Sequence, residues 1–151
     1  MPSDLVTLRP YTPADEDAAI ELWRRTWQLH YPRIDFTARV AWWRARWRNE
    51  LVPAAAITLA EVDGALAGFV TVDQKTKYLD QFVVAPEHWG SDVGRALVDE
   101  AKRLSPAGLD LLVNKDNARA IRFYEKHGFV YAGEDKNPVS GIAVNRMEWR
   151  P

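Results

Sequence analysis

The stretch from Tyr78 to Val113 constrains the fold more than any other part of the chain. Tyr78–Val84 and Leu109–Val113 are short apolar runs typical of buried strands, and Val93–Leu104 between them has apolar side chains at helical spacing. A helix of this length between two strands is typical of a right-handed parallel crossover. The sequence therefore predicts an α/β protein with a parallel pair of strands.

A second feature indicates that the sheet is mixed. The dipeptide Asp63-Gly64 separates two strand-like segments, Ala56–Val62 and Ala65–Val72, and it is a strong signal for a tight hairpin turn. A hairpin is antiparallel, so a fully parallel, doubly wound sheet is disfavoured. The other predicted strands are Leu5–Arg9, Phe129–Glu134 and Ile142–Trp149.

Two further helices precede the hairpin and one follows the crossover. The first begins at Thr12-Pro13, where a capping hydroxyl and a proline stand before three acids, and it ends at Pro32. The second is predicted over Thr37–Glu50 and the last over Asn117–His127.

Charge and composition exclude several classes of function. The chain has 20 Lys and Arg against 21 Asp and Glu, a net charge of -1, which gives no support to nucleic-acid binding. It has no cysteine and three widely spaced histidines, so no disulfide, catalytic thiol or metal site is predicted. The charged N-terminus predicts no signal peptide, and the longest apolar run, Leu51–Ala60, is too short for a membrane span. We expect one cytoplasmic domain over residues 1–151, with no membrane or nucleic-acid partner.

A glycine-bearing turn connects the strand Tyr78–Val84 to the helix that opens near Val93. The first N–H groups of a helix have no intrahelical partner, and together with the helix dipole they attract phosphate oxygens. Gly90 and Gly94 would let a ligand approach the backbone and let the helix lie close to the strand. The spacing matches neither a P-loop nor a dinucleotide fingerprint, so the turn alone is equally compatible with a plain connection.

The helix Asn117–His127 carries two residues that can face the same ligand. Asn117 is predicted to cap its start, and Gly128 is predicted to end it in the left-handed conformation. Tyr124 lies seven residues after Asn117, about two turns further on the same face. Taken singly, these residues are better explained as a simple cap and a half-buried core aromatic.

Together, the two segments resemble the GNAT superfamily of acetyl-CoA-dependent N-acyltransferases, over roughly Val62–Trp149. The first family motif reads Val-x-Pro-Glu followed by Gln/Arg-x-x-Gly-x-Gly/Ala, and Val84–Glu87 and Gly94 match it. The second, Asn-x-x-Ala-x-x-Phe-Tyr-Glu-Lys-x-Gly-Phe, is present in full over Asn117–Phe129. The resemblance implies a mixed, mostly antiparallel sheet of about seven strands with a parallel central pair, flanked by about four helices.

The resemblance also implies where acetyl-CoA would bind. Backbone groups of Phe82, Val83 and Val84 would bind the pantetheine arm and the acetyl carbonyl. Asn117 and Ala120 would contact the coenzyme. The pyrophosphate would lie on six consecutive residues: Gly90, Ser91, Asp92, Val93, Gly94 and Arg95.

Two residues depart from the first motif. Trp89 stands at the Gln/Arg position, and Asp92 stands at the first glycine. A carboxylate beside a diphosphate is repelled, by on the order of 1 kcal/mol in a solvated setting. Aspartate is also a preferred helix cap, so we expect Asp92 to turn away from the phosphates and cap the Val93 helix, with Arg95 partly offsetting its charge.

A GNAT-like transfer requires a gap in the sheet. By the resemblance, an amine attacks the thioester of acetyl-CoA directly, and the pantetheine arm lies where the sheet splays between Tyr78–Val84 and Leu109–Val113. A backbone N–H of Val83 or Val84 would polarise the acetyl carbonyl as an oxyanion hole.

Two side chains are candidates for proton transfer. Asp80 is the predicted base, and on a regular strand it would share one face with Phe82 and Val84. The alternatives are that Asp80 is a buried acid paired with an arginine, or that it acts through water. Tyr124, which the resemblance places near the sulfur, is the predicted general acid for the departing thiolate.

The resemblance also implies that the N-terminal third forms a wall of the acceptor pocket. Most of its many aromatic residues fit the core faces of two helices, and Trp27 and Tyr31 are the predicted pocket residues. Seven arginines and one acid occupy residues 24–48, which fits a solvated amphipathic face better than an anionic acceptor site. Glu87, His88 and His127 are expected to lie on the surface.

The predicted activity is acetyl transfer from acetyl-CoA to a primary amine, with a small molecule as the acceptor. A protein lysine or N-terminal amine is the alternative acceptor; a closed aromatic cup would favour the small molecule and an open groove the peptide. The alternatives to an enzyme are a non-catalytic acyl-CoA-binding sensor and, if Asp92 prevents coenzyme binding, an interaction module. The family resemblance is compatible with a homodimer.

Overall fold

The computed structural model describes residues 5–137 and 141–151. In these ranges seven strands form one sheet in the order β1-β2-β3-β4-β5-β7-β6. Only the β4–β5 pair is parallel among the described strands, so the predicted mixed, mostly antiparallel sheet is confirmed. The strands are β1 (Val6–Pro10), β2 (Ala56–Val62), β3 (Ala65–Asp73), β4 (Tyr78–Val84), β5 (Leu109–Asn114), β6 (Val130–Lys136) and β7 (Ala143–Trp149).

The predicted helical segments are also confirmed, with one difference in the second. There, a 3-10 turn leads into α2, and a π-helical turn over Trp47–Leu51 joins α2 to α3, so that the Val52 N–H donates to the Trp47 carbonyl. The segment predicted as one regular helix is therefore continuously helical, but it combines 3-10, α and π turns. The helices are α1 (Glu16–His30), α2 (Val40–Arg46), α3 (Val52–Ala54), α4 (Asp92–Leu104) and α5 (Ala118–Lys126).

The sheet separates two apolar cores. On one face, α4 packs Val93 and Leu97 against strand residues such as Val70. On the other face, α1 and α2 pack a tryptophan-rich cluster against Phe69, the immediate neighbour of Val70. Because successive strand residues point to opposite faces, β3 serves both cores and reads as a continuous apolar run. None of the described helices combines the length and apolarity that crossing a bilayer requires.

The parallel pair is joined only at its beginning. Tyr78 of β4 pairs with Asp110 of β5, whose N–H donates to the Lys77 carbonyl at 2.8 Å, and no further pairing connects the two strands. Beyond this point β4 and β5 diverge. The predicted splay between these strands is therefore present.

A bulge in β4 changes which residues share a face. Val72 pairs with Leu79 and Thr71 with Gln81, which leaves Asp80 as an extra residue. The prediction that Asp80 shares a face with Phe82 is therefore wrong, because the extra residue shifts the alternation by one position. Phe82 packs with the α4-side core, whereas Asp80 bonds to Arg46 of α2 on the opposite side of the sheet.

Candidate active site

The divergence of β4 and β5 opens a cleft of about 620 Å³. Its volume lies within the range of small-molecule sites. All predicted site residues line this cleft except Val93, whose side chain is buried in the core and whose N–H donates to Ser91 Oγ. No group of three or more His, Asp or Glu side chains placed to hold a metal ion occurs among the residues that the structure describes.

The cleft has two halves that differ in their lining. We call the part formed by the end of β4, residues 88–95 and α5 the turn half. The part formed by α1, α2 and the first residues of β4 is the aromatic half. Cleft residues of the turn half include Val84, His88, Trp89, Gly90, Ser91, Asp92, Gly94, Arg95, Asn117, Arg119, Ala120, Phe123, Tyr124 and Lys126, and those of the aromatic half include Trp23, Trp27, His30, Tyr31, Arg39, Trp42, Trp43, Arg46 and Asp80.

The turn before α4 has a free backbone and a serine cap. Gly90 has φ +79°, and space for a ligand remains open beside its Cα. Ser91 caps α4 by accepting from the Val93 N–H at 3.3 Å, while its own hydroxyl donates to the His88 carbonyl at 2.6 Å. The prediction that Asp92 is the cap is wrong, because the neighbouring hydroxyl already takes that N–H and Asp92 is the first residue of the helix.

The charge of Asp92 is balanced within its own helix. Arg95, one turn further on, donates to the Asp92 carboxylate at 2.9 Å. The expected offset of the carboxylate by Arg95 is therefore present. Gly94, between them, brings α4 close to α5, because a Cβ there would lie 3.1 Å from the Phe123 ring.

Helix α5 begins and ends as predicted. The Asn117 side chain caps it by accepting from the Ala120 N–H at 3.2 Å. Gly128 follows its last turn with φ +92°, the left-handed conformation that favours glycine. These two ends fix the part of the helix that presents Tyr124 to the cleft.

Tyr124 places a hydroxyl in an otherwise apolar environment. Its side chain is 8% exposed and packs at ring distances of 5.4 to 5.8 Å against Phe82, Phe123 and Phe129. No described residue hydrogen-bonds to the hydroxyl. Burial raises the pKa of Tyr124 well above its usual value, so the group stays protonated and can act only as a neutral donor or acceptor near pH 7.

Asp80, the predicted base, is held by an arginine that the sequence did not single out. Arg46 donates to both carboxylate oxygens, at 3.1 and 2.6 Å, and Gln81 donates to one of them at 2.9 Å. The guanidinium of Arg46 also lies 5.3 Å from the Trp43 ring. The pairing that was one alternative for Asp80 is thus present, but 34 residues separate the partners, so no local pattern could name Arg46.

Tyr78, two residues before Asp80 on β4, is a third tyrosine that lines the cleft, and it was not predicted as a site residue from the sequence. Burial, together with the nearby Asp80 carboxylate, raises the pKa of Tyr78 to about 12. Like Tyr124, it is therefore protonated near neutral pH. Its place at the start of the strand was predicted from the sequence, but its exposure to the cleft was not.

In the aromatic half, Trp27 and Tyr31 stack with ring centroids 5.8 Å apart. The Tyr31 hydroxyl accepts from Asn114 at 2.6 Å and donates to Asp116 at 3.1 Å. The end of α1 is thereby tied to the end of β5 across the cleft. By contrast, Trp23 and Trp43 are buried core residues, as their helical spacing predicts.

Most arginines of residues 24–48 form ion pairs with carboxylates, and two arginines of this segment, Arg39 and Arg46, line the cleft. Arg39 has no carboxylate partner among the described residues, and its guanidinium lies 5.4 Å from the Phe36 ring. The paired arginines are Arg24, Arg25, Arg44, Arg46 and Arg48.

Two histidines are less exposed than predicted. His88 and His127 are half-buried and line the cleft, because the turn before α4 and the end of α5 both fold over it. Burial, aided by Lys102, lowers the pKa of His127. Glu87 is exposed as expected, and its ion pair with Arg25 lowers the pKa of Glu87 to about 2.

The family of the chain follows from its sequence as well as from this site. The model of the acetyltransferase (GNAT) family matches residues 16–129, which is well over half of the chain. The chain therefore belongs to the GNAT acetyltransferase family, whose donor substrate is acetyl-CoA.

Curated relatives with similar sequences differ in the acceptors that their names specify. The peptidyl-lysine N-acetyltransferase YjaB of Salmonella typhimurium is 26% identical over 136 residues, which cover 87% of this chain and 88% of the relative. The mycothiol acetyltransferase of Kineococcus radiotolerans is 32% identical over 143 residues, covering 90% of this chain. The chain spans only 46% of the length of that second relative.

Solved structures agree with the fold. A GCN5-related N-acetyltransferase from Rhodopseudomonas palustris superposes with a TM-score of 0.83 at 22% identity, covering 100% of this chain and 99% of the other. The PaiA N-acetyltransferase from Thermoplasma acidophilum, solved in complex with coenzyme A, gives a TM-score of 0.78 at 20% identity, covering 97% and 99% of the two chains.

Proposed function

We propose that the protein transfers the acetyl group of acetyl-CoA directly to the primary amine of a small molecule. The observation that carries this proposal is the divergence of β4 from β5 after a single paired position. This divergence surrounds one cleft with the free backbone of β4, the turn before α4 and the Tyr124 hydroxyl. Acetyl-CoA, when bound, supplies the thioester whose acetyl group is transferred.

The donor fits the residues present in the turn half. The Gly90 N–H has no hydrogen-bond partner among the described residues, and the Gly90 backbone is open to a ligand. The first turn of α4 adds the N-terminal end of a helix dipole. The gap between β4 and β5 offers an extended path for a pantetheine arm from this turn toward Asp80.

The backbone of β4 favours Val84 over Val83 as the oxyanion donor. The N–H groups of Gln81 and Ala85 both bond to β3, at 3.0 and 2.8 Å. Successive N–H groups of a strand point to opposite edges, so Val83 also faces β3 and Val84 faces the gap. The Val84 N–H would therefore donate to the acetyl carbonyl oxygen as negative charge develops on it.

Tyr124 would protonate the leaving group. The amine nitrogen bonds to the carbonyl carbon as the C–S bond breaks, and the Tyr124 hydroxyl donates its proton to the departing sulfur. The proton that the new amide nitrogen must lose then returns to the Tyr124 oxygen, which leaves a neutral amide, a free thiol and a neutral tyrosine. A buried tyrosine with a raised pKa is protonated at the start of this step and has no competing partner among the described residues.

Asp80 is proposed to receive the proton of the acceptor ammonium. Among the described residues that line the cleft, the only other carboxylate is Asp92, which pairs with Arg95 at the opposite end. Arg46 takes one lone pair of each Asp80 oxygen and fixes the carboxylate in place. A carboxylate oxygen can accept two hydrogen bonds, so Oδ1, which accepts from Arg46 and Gln81, is fully occupied, whereas Oδ2 still has acceptor capacity for an amine.

The shape of the aromatic half favours a small acceptor. The bonds of Tyr31 to Asn114 and Asp116 close one side of the cleft, and stacked aromatic rings form its wall. An extended peptide would need that side open. A protein lysine is the second candidate, because the relative that covers most of this chain and of itself is named for peptidyl-lysine.

The test is release of free thiol from acetyl-CoA across a panel of small primary amines and lysine-containing peptides. We expect turnover with at least one small amine and with no peptide. Turnover confined to peptides would favour the second candidate. Tight binding of acetyl-CoA with no turnover on any acceptor would instead identify a sensor and contradict the proposal.

A further inference from the structure

Trp89 and Asp92, the two residues that depart from the first motif, both contact an arginine in the turn half. Trp89, at the Gln/Arg position, donates its indole N–H to the Val84 carbonyl at 2.9 Å. Its ring lies 5.0 Å from the His30 ring, and the guanidinium carbon of Arg119 lies 4.3 Å from its centroid. Trp89 is thereby fixed to the end of β4, and its ring contacts the guanidinium of Arg119 from α5.

The side chains of the turn itself supply no net positive charge. Asp92 and Arg95 form an ion pair and cancel each other. Burial and the nearby Arg119 lower the pKa of His30, so this histidine adds no charge at neutral pH. A diphosphate carries about two negative charges, and the helix N-terminus alone offsets only about half a charge.

Arg119 is positioned to supply the missing charge. It is exposed, lines the cleft together with Gly90 and Ser91, and has no carboxylate partner among the described residues. The Asn117 cap fixes its place in the first turn of α5. No other cation of the turn half lies on an aromatic ring.

The ring under Arg119 keeps its hydrogen-bond donors available. An aromatic face attracts a guanidinium through its π-electrons and takes none of the five N–H donors, which lie in the guanidinium plane. A carboxylate partner would occupy two of them. Trp89 therefore holds the Arg119 guanidinium in a defined place while its edge stays free for phosphate oxygens.

We propose that Arg119, seated on Trp89, binds the diphosphate of acetyl-CoA and supplies the positive charge that Trp89 and Asp92 leave out of the turn. This proposal rests on acetyl-CoA as the donor in the proposed function. It makes Trp89 a positioning residue that acts through Arg119, and it assigns Arg119 to donor binding rather than to chemistry.

The first test compares Arg119→Gln with Arg122→Gln, which removes the same charge from an exposed position of α5 outside the cleft. Affinities are measured for acetyl-CoA, its 3′-dephospho form and S-acetylpantetheine, by calorimetry or, for weak binding, by NMR titration. We expect Arg119→Gln to weaken the first two about tenfold, as loss of a charge-assisted hydrogen bond does. S-acetylpantetheine, which has no phosphate, should bind within twofold of the wild type, and Arg122→Gln should change none of the three.

Three results would overturn the assignment. Equal losses for all three donors would indicate structural damage, and a loss confined to acetyl-CoA would place the contact at the 3′-phosphate. Unchanged or tighter binding of acetyl-CoA would show that Arg119 does not bind it. If the wild-type protein itself fails to bind acetyl-CoA, the proposed function falls together with this proposal.

A double-mutant cycle tests the role of Trp89. Trp89→Leu removes the ring under Arg119, and we expect it to weaken acetyl-CoA binding by several-fold. Because both residues would act as one unit, the double variant Trp89→Leu with Arg119→Gln should lose little more than Arg119→Gln alone. Additive losses in variants of wild-type thermal stability would show that Trp89 acts independently of Arg119.

Discussion

The turn half and the aromatic half of the cleft are built from different kinds of structure. The turn half takes its shape from backbone: the open turn at Gly90, the cap at Ser91 and the cap at Asn117. The aromatic half takes its shape from side chains that meet across long sequence separations, such as Arg46 with Asp80. A substitution usually leaves the backbone N–H and carbonyl groups of a site in place, whereas it removes the contacts of the side chain that it replaces. A scaffold of this kind can keep one donor and change its acceptor.

The largest effect on kcat is expected at Tyr124, whose side chain is the proposed proton donor in the turn half. No backbone group can replace it in that role. Tyr124→Phe keeps the ring packing and removes the hydroxyl, so kcat should fall about 100-fold, as loss of a general acid does. Acetyl-CoA affinity should stay within twofold, because the hydroxyl has no partner in the free protein among the described residues. Thiol-release kinetics and calorimetry measure the two quantities.

Tyr131→Phe is the matched control for this change. Tyr131 lies on β6 with 59% of its surface exposed and does not line the cleft. Its variant should keep full activity. A Tyr124→Phe enzyme with more than a third of wild-type kcat would remove Tyr124 from the mechanism.

An effect of similar size, on stability rather than on rate, is expected from disturbing the backbone of the turn half. A Cβ at Gly68 of β3 would lie 2.6 Å from the Val83 carbonyl oxygen and 2.9 Å from Leu97 Cδ1. Gly68→Ala must therefore push the end of β4 or α4 aside, and we expect the free energy of unfolding to fall by about 3 kcal/mol. Urea denaturation measures this loss.

Gly94→Ala is the comparison within the same half. Its Cβ would meet only the ring of Phe123, at 3.1 Å, and a half-buried ring can move. The gain in helix propensity, about 1 kcal/mol, offsets part of the crowding. We expect a cost below about 1 kcal/mol. Equal losses at the two glycines would show that the end of β4 is no more rigid than the α4–α5 contact.

The same division explains which features could be predicted from the sequence. The caps of α5 and the hairpin depend on residues close together in the chain, so their patterns were sufficient, whereas the splay was predicted from the family resemblance. Ser91 and Asp92 are adjacent and both are good caps, so composition alone could not choose between them. The bulge at Asp80 depends on how β3 and β4 register, which no single strand encodes.

The aromatic half was the least predictable because its contacts are the least local. Tyr31 was predicted as a pocket residue because the resemblance places the N-terminal third beside the acceptor, but its bonds join residues 83 and 85 positions apart. Arg46 was one of seven similar arginines, and nothing in its neighbourhood distinguished it. The histidines lining the cleft were missed because turns and helix ends usually lie on the surface.

A smaller effect, confined to the acceptor, is expected at Tyr31. Tyr31→Phe keeps the stack on Trp27 and removes the bonds to Asn114 and Asp116. Because these bonds hold one side of the aromatic half closed, their loss should make the acceptor pocket looser, and we expect the acceptor KM to rise about fivefold, which corresponds to about 1 kcal/mol of binding free energy. Acetyl-CoA affinity should not change, which is the reverse of the pattern expected for Arg119→Gln. A fall in donor affinity would show that the two halves are not independent.

The smallest effect concerns the ion pairs that attach α1 to α2 and to the π-helical turn after α2, behind the aromatic half. The Glu16 carboxylate, 14% exposed, accepts from Arg48 at 2.6 Å and from Arg44 at 2.7 Å. These bonds, that from Arg48 foremost, lower the pKa of Glu16 to about 2. A carboxyl with a lowered pKa in the folded state stabilises the protein above its ordinary pKa, and this stabilisation is lost as the pH falls toward 2.

Glu16→Gln should therefore cost about 1 kcal/mol of unfolding free energy at pH 7 and progressively less below pH 4, since exposed partners limit what such pairs contribute. Urea denaturation of both proteins at several pH values measures the difference. Glu21→Gln, which breaks the more exposed pair with Arg24, should cost less at every pH. A cost for Glu16→Gln that does not depend on pH would show that the side chain stabilises the helix contact by packing rather than by charge. The ion pairs behind the aromatic half would then contribute little to the free energy of unfolding.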